Sequence, residues 1–407
     1  MSAGRLLTVI HGPVFGGGFN QTVQLRDPLR RLGWETIAAT TDQPGDAVER
    51  LRAADVPVEV LPLHRLRATA NPTTHAALAA TFPREVRRLR RMIREREIDL
   101  VQAHGDTNPH AAIAAHLEGV AVVWQMLDTR TPPPLRRLTM PVVIRVADAI
   151  TTWGYELGRA HPGTTGLGER HVVVFPPVDS DRFRPDPERR RIARERLGVG
   201  DDRFLIAGIG ARNPQKGFEW LIRALARVRR ERDEVVARVI GPESPVHADY
   251  ERSLRDEVAA AGLGAAIDFL DGGRDVPELM PALDALVVSS VSRSEGIPTV
   301  ILEAMACEVP VISTRVGAIH EVVEPDETGL LVPPEDAGAL AAAIARLGSD
   351  PELGRRLGRT GRERVEERYR LDRCAATHAH AYRLALAHRA TRRRYHRAAA
   401  TSPTGAG

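Results

Sequence analysis

The sequence predicts an α/β protein built from two doubly wound parallel sheets in tandem. Its 407 residues exceed one ordinary domain and fit two of roughly 150–200 residues each. Short apolar runs alternate with helix-period stretches throughout, the rhythm of parallel strands covered by helices on both faces. That rhythm breaks once, at FPPVDSDRFRPDPERRR, Phe175 to Arg191, which is rich in Pro and Asp, lacks an apolar period and reads as an interdomain linker. The expected domains are therefore residues 1–180 and 181–370, with residues 371–407 forming a C-terminal helix that packs back on the first domain and ends in a disordered tail. Open parallel sheets take ligands at the carboxyl ends of their strands, so two of them in tandem predict a cleft.

In the first half the strand-like runs are RLLTVIHG, EIDLVQAHG, GVAVVWQML, DAITTWG and HVVVFP. Between the first strand and a helix starting near Asn20 lies the glycine run IHGPVFGGGFNQ, whose backbone N–H groups can approach an anion at a helix start. It is neither a dinucleotide fingerprint nor a Walker A loop. The stretch PREVRRLRRMIREREIDL sets Val86, Leu89, Met92 and Ile93 at helical spacing among Arg87, Arg88, Arg90, Arg91 and Arg94. Its basic face is either the solvated side of a core helix or a peripheral contact with an anionic membrane. In the second half the strand runs are RFLIAGIG, EVVARVIG, AIDFLDG, DALVVSS, VPVISTR and GLLVPP, and the chain becomes helical from Asp350 to about Arg393.

Composition excludes several classes. With 43% hydrophobic and 27% charged residues the chain is an ordinary soluble globular protein, and 4% aromatic content argues against stacking platforms for single-stranded nucleic acid. A net charge of +4 demands no nucleic-acid partner. No apolar run approaches the roughly 20 residues that span a bilayer, and MSAGRLLTVIHG is not a signal pattern. The expected location is the cytoplasm, with the inner membrane face as a peripheral alternative. Cys307 and Cys374 are too few for a disulfide framework or a zinc site, and no metal site is expected. Lys216 is the only lysine among 57 basic residues. Such arginine bias points to a GC-rich, actinobacterial genome.

Beside the glycine run, two motifs carry chemistry. In GARNPQKGFEWLIRALARV, Arg212 and Lys216 occupy a strand-to-helix loop where two cations oppose the helix dipole, so an anion such as a diphosphate should offset the cost. In SEGIPTVILEAMA, Glu295 precedes a helix and Glu303 follows eight positions later inside its apolar sequence, an expensive place for a carboxylate unless sugar hydroxyls or a salt bridge supply a partner. Gly296, Ile297 and Thr299 bring backbone N–H groups to the same helix start; Pro298 has none.

With these pieces the second half resembles the retaining glycosyltransferases of family 4, the glycosyl transferases group 1. The matching segments are GARNPQKGF, EGIPTVILEAMACEVPVIST with its Glu-x7-Glu spacing, GAIHEVV and TGLLVPPED. The resemblance implies the GT-B fold, two Rossmann-like doubly wound domains facing a cleft. It implies that Glu295 and the Gly296–Thr299 backbone hold the donor sugar, that Glu303 holds the ribose hydroxyls, and that Arg212 and Lys216 clamp the diphosphate. Gly17 and Gly18 would offer N–H groups to it from the first domain. The reaction would retain configuration without metal or cofactor, the nucleotide-diphosphate sugar, UDP- or GDP-linked, being a co-substrate.

The chain departs from the family where a histidine usually follows the strand GVAVVWQML; Leu127 and Asp128 stand there instead. His104, Gln125 and Asp128 become the acceptor-side candidates, Asp128 also as a catalytic group, with a strand-end histidine bonded to backbone as the plainer reading of His104. The acceptor would be a small natural product, as in antibiotic biosynthesis, or a lipid-linked or other cell-envelope molecule. Two alternatives stand beside the transferase: a sugar-nucleotide 2-epimerase of the same fold, and a nucleotide-sugar-binding pseudo-transferase.

Overall fold

The computed structural model describes residues 4–64, 72–105, 108–129, 131–243, 247–271, 275–292 and 295–401. Its chain divides into two compact units, Met1–Pro176 with Leu371–Gly407, and Pro177–Arg370. Each holds a parallel sheet with helices on both faces, the doubly wound, Rossmann-like pattern.

The first unit contains β1 (Gly4–Ile10), α1 (Gly17–Arg31), β2 (Trp34–Thr41), α2 (Ala47–Ala53), β3 (Val58–Leu61), α3 (Pro72–Glu95), β4 (Leu100–His104), α4 (Pro109–Glu118), β5 (Ala121–Met126), α5 (Pro133–Val146), β6 (Ala149–Trp153), α6 (Tyr155–Ala160) and β7 (His171–Val174). Its strand order is β3-β2-β1-β4-β5-β6-β7, so the direction of winding reverses between β1 and β4. One core cluster joins the strands to α3, α4 and α5, with Val86, Leu89, Met92 and Ile93 buried in it.

The second unit contains α7 (Pro187–Arg196), β8 (Phe204–Ile209), α8 (Phe218–Val228), β9 (Val235–Ile240), α9 (Ala248–Ala260), β10 (Ile267–Leu270), α10 (Val276–Leu279), β11 (Ala285–Val288), α11 (Thr299–Ala306), β12 (Val311–Thr314), β13 (Gly329–Val332), α12 (Ala337–Ser349) and α13 (Pro351–Arg368). Strand order β10-β9-β8-β11-β12-β13 reverses between β8 and β11. The chain then returns to the first unit as α14 (Leu371–Thr401), which lies on α1 and across β5, β6 and β7. Trp34 meets Tyr382 of α14 edge-on at 5.1 Å, and Leu25, Leu29, Cys374 and Ala379 share that core.

The structure corrects the sequence reading at several points. Two strands of the first half, β2 and β3, were not expected. Helix α1 starts at Gly17, not near Asn20, and α14 continues past Arg393 to Thr401. The expected disordered end, residues 402–407, lies outside the described residues. The last part of the expected linker is helical: Asp186 caps α7 by accepting the Arg189 N–H at 3.0 Å. That helix holds to the unit through arginine, not through an apolar stripe. Arg190 and Arg194 donate to Asp284 at 2.6 and 3.0 Å, and both reach the carbonyl of Ala282.

Candidate functional site

Lys216 and Glu295, two of the groups predicted to hold a donor, meet at the switch point of the second sheet, where ligands bind in open α/β sheets. The loop after β8 carries Lys216 in a short 3-10 turn that Asn213 caps by accepting the Gln215 N–H at 3.1 Å. Two bonds fasten this turn to the loop after β11: the Ser289 hydroxyl donates to the Lys216 carbonyl at 3.0 Å, and the Val291 N–H to the Gln215 carbonyl at 3.1 Å. Gly217 follows at φ +61°, with space for no side chain: a Cβ there would stand 2.3 Å from the Ser289 carbonyl oxygen.

Across this seam the Lys216 ammonium donates to Oε1 of Glu295 at 2.7 Å. The same oxygen accepts the Ser290 hydroxyl at 3.0 Å, and the Ser290 carbonyl accepts the Thr314 hydroxyl at 2.6 Å. Glu295 is therefore oriented by groups from the ends of three neighbouring strands, β8, β11 and β12. The loop after β12 supports it from below: Ala318 N–H donates to the Gly296 carbonyl at 3.1 Å, and Gly317, at φ +53°, approaches so closely that a Cβ would lie 2.3 Å from the Glu295 carbonyl oxygen. Ile297 and Pro298 are buried, and Thr299 begins α11.

Glu303 sits on α11 among buried Leu302, Ala304 and Met305. Burial pushes its carboxyl up to about 7, against the opposing pull of the Thr299 hydroxyl and the charge of Arg182. A carboxyl this poorly served by the protein is suited to accept hydrogen bonds from hydroxyl groups of a ligand.

Arg212 departs from the expected arrangement. The sequence reading pairs it with Lys216 on one diphosphate, yet its guanidinium turns toward β9, β10 and α9. It is 2% exposed. Its Nε stands 2.7 Å from Oε2 of Glu251, Nη2 3.2 Å from Oε1 of Glu243, and Nη1 donates to the Leu270 carbonyl at 3.3 Å. Both cations thus already have carboxylate partners, which offsets the helix-dipole cost that the sequence reading assigned to a bound anion. Ser290 and Glu251 were missed; the serine pair that follows the strand, in VVSS, was the available signal for the first, and no sequence pattern marks the second.

At the switch point of the first sheet, Gly17 and Gly18 open α1, whose N-cap Gly16 supplies no side-chain cap. A Cβ on Gly18 would lie 3.4 Å from Nδ1 of His104. His104 and Gln125 are buried members of a directed polar chain. Tyr382 donates to Gln102 at 2.5 Å, Gln102 to Gln125 at 2.5 Å, Gln125 to Gln21 at 3.0 Å, and the Gln21 amide meets Nε2 of His378 at 2.9 Å. Nε2 of His104 joins through Thr8 at 2.8 Å and Gln102 at 3.1 Å. Burial, with the charge of His378 adding to it, pushes His104 down to about 3. Gln125, expected as an acceptor contact, spends both ends of its amide inside the core, accepting from Gln102 and donating to Gln21. His104 is likewise a neutral core link, bonded to side chains and not to backbone as the plainer reading had it. Asp128 lies partly buried in the loop after β5.

On α3 the apolar stripe is taken up by the core, so it cannot enter a membrane. Arg90 and Arg94 pair with Glu118 at 2.6 and 2.7 Å, while Arg87, Arg88 and Arg91 are exposed. No helix among the described residues is long and apolar enough to cross a membrane.

Residues 189–364 match the family described as Glycosyl transferases group 1. A D-inositol 3-phosphate glycosyltransferase of Streptomyces avermitilis is 30% identical over 322 residues, 73% of this chain and 68% of the relative. A GDP-mannose-dependent alpha-(1-6)-phosphatidylinositol monomannoside mannosyltransferase of Mycolicibacterium smegmatis is 29% identical over 73% of this chain and 78% of its own. Among solved structures, that of Anabaena Alr3699/HepE in complex with UDP-glucose matches with a TM-score of 0.77 at 23% identity, covering 91% of this chain and 97% of the other. That likeness places the chain in the GT-B fold.

Proposed function

From the premise that this chain belongs to the glycosyl transferases group 1 family, we propose that it transfers a hexose or N-acetylhexosamine from a UDP- or GDP-sugar to an acceptor hydroxyl, with retention of configuration and without a metal. The observation that carries this reading is the Lys216–Glu295 pair at the switch point of the second sheet, with Glu303 buried on the helix that follows. Glu295, held by Lys216 and Ser290, receives the sugar hydroxyls; Glu303 accepts the ribose hydroxyls. Lys216 moves from Glu295 toward the diphosphate as the glycosidic bond breaks, and Arg212 adds the second positive charge. Together they stabilise the leaving group in the role a metal plays elsewhere. A donor phosphate oxygen takes the proton of the attacking hydroxyl on the same face.

The two relatives are named for an inositol phosphate and a phosphatidylinositol mannoside. Their names favour an inositol-bearing acceptor over an antibiotic scaffold. Donor hydrolysis by the purified chain, followed as release of UDP or GDP, tests the donor half. Release from one donor class, lost in Glu295→Gln, is the expected result. If neither donor is bound or hydrolysed, or if Glu295→Gln behaves as wild type, the reading is wrong. Acceleration of release by inositol phosphates tests the acceptor half.

A further inference from the structure

The partners of Arg212 differ in a way that assigns them different work. Glu251 lies in the first turn of α9 with its side chain 11% exposed, and Arg255 pairs with its other oxygen at 2.8 Å. Glu243, in the coil after β9, is 66% exposed and its Oε1 lies 3.5 Å from the same Arg255. A buried guanidinium needs a charge partner that stays in place, and Glu251 meets that need. An exposed carboxylate on an arginine is a weak, replaceable contact. The first turn of α9 braces the loop's far end as well: the Tyr250 hydroxyl accepts the Phe218 N–H at 3.0 Å where α8 begins.

We propose that Glu251 is the positioning residue that fixes Arg212 for the donor diphosphate, and that Glu243 is a displaceable stand-in for a phosphate oxygen on the guanidinium edge at Nη2. This rests on the reading that Arg212 meets the diphosphate. When a diphosphate arrives, its greater charge and paired oxygens take the Nη2 edge, and Glu243 remains with Arg255. Glu251 keeps its hold on Nε and the Leu270 carbonyl its hold on Nη1, so the guanidinium turns little.

Calorimetric titration of the full chain with UDP, GDP and the matching nucleosides tests this. Arg212→Gln should weaken the bound diphosphate by tenfold or more, on the order of a lost charge-assisted pair. Glu243→Gln should tighten it about threefold at low salt, with the gain fading as salt rises. Glu251→Gln should weaken it several-fold and leave nucleoside affinity unchanged, a split that mere loss of folding would not produce. Glu243 is exposed, so its variant reports on the stand-in role even if the Glu251→Gln chain does not fold. Wild-type or weaker diphosphate affinity in Glu243→Gln overturns the stand-in role; unchanged or tighter affinity in Glu251→Gln overturns the anchor. Wild-type affinity in Arg212→Gln, or no diphosphate binding by the wild-type chain, would instead sink the underlying reading.

Discussion

The Lys216 ammonium and the Glu295 carboxylate meet at 2.7 Å, joining the loops after β8 and β11 at the one place where the second sheet reverses its winding. Each is the other's partner, so a donor would enter a site whose charges are already matched. In the proposed reaction the diphosphate attracts the ammonium while the sugar hydroxyls attract the carboxylate, so that a single ligand satisfies both as the pair separates.

Lys216→Arg therefore tests more than charge. The ammonium is a compact point charge on a flexible stem that passes close to Gly210, where a Cβ would lie 2.9 Å from Cε, whereas a guanidinium is a wider planar fork. We expect Lys216→Arg to bind the nucleoside diphosphate within a few-fold of wild type and to lose turnover by about tenfold or more. Lys216→Gln should lose both, with turnover down on the order of a hundredfold. Single-turnover rates beside equilibrium binding check this; wild-type turnover in Lys216→Arg would mean that positive charge alone suffices.

Glu303 gives the site a pH dependence with a definite sign. Its carboxyl is raised from 4.5 to about 7, so between those values the folded state binds the proton that the unfolded state has lost. The group's contribution to stability is full below about 4.5 and declines as pH rises toward 7. Ligand hydroxyls favour the ionised form, so nucleoside diphosphate affinity should rise from pH 6 to 8, by up to about tenfold for each unit that binding lowers the pKa. Calorimetry at pH 7 in buffers of different ionisation heat should show proton release on binding, and Glu303→Gln should abolish it. Proton uptake, or no exchange at all, would contradict the assignment.

The second half of the fold was legible because its strands are apolar runs and its site residues stand at motif spacing along the chain. The first half hid two strands. WETIAATT buries small Ala38 and Ala39, and VEVL is four residues long at the sheet edge. Neither has the apolar density that a period search detects. Helix α7 was hidden for a related reason, since its buried residues are Ala193 and Arg194 and its anchors are guanidinium groups. The partners of Arg212 could not be read at all: Glu243 and Glu251 are separated from it by a strand and a helix, and only the folded loop ends bring them together.

The polar chain of the first unit makes α14 part of that unit's core. Tyr382→Phe removes the donor to the buried Gln102 oxygen and leaves the carbonyl without it. Such a loss costs about 1–3 kcal/mol. Urea denaturation should show the midpoint falling with an unchanged slope, while donor affinity, which the proposed function assigns to Lys216, Glu295 and Glu303, should stay at the wild-type value. A change of less than about 0.5 kcal/mol would mean that the chain of amides re-forms around the missing hydroxyl.

The basic face of α3 leads to the last expectation. With Val86, Leu89, Met92 and Ile93 locked in the core, any attachment to a lipid surface through this helix is electrostatic, without insertion. The exposed Arg87, Arg88 and Arg91 should contribute about 1 kcal/mol each near an anionic surface. Sedimentation with phosphatidylinositol-containing vesicles should be detectable at low salt and disappear as ionic strength passes the physiological range. Neutral vesicles should leave the protein in solution, and replacing the three arginines with glutamate should abolish binding without altering donor hydrolysis. Binding that survives high salt would require an apolar contact elsewhere on the molecule, and no binding at low salt would leave this face as plain solvated surface.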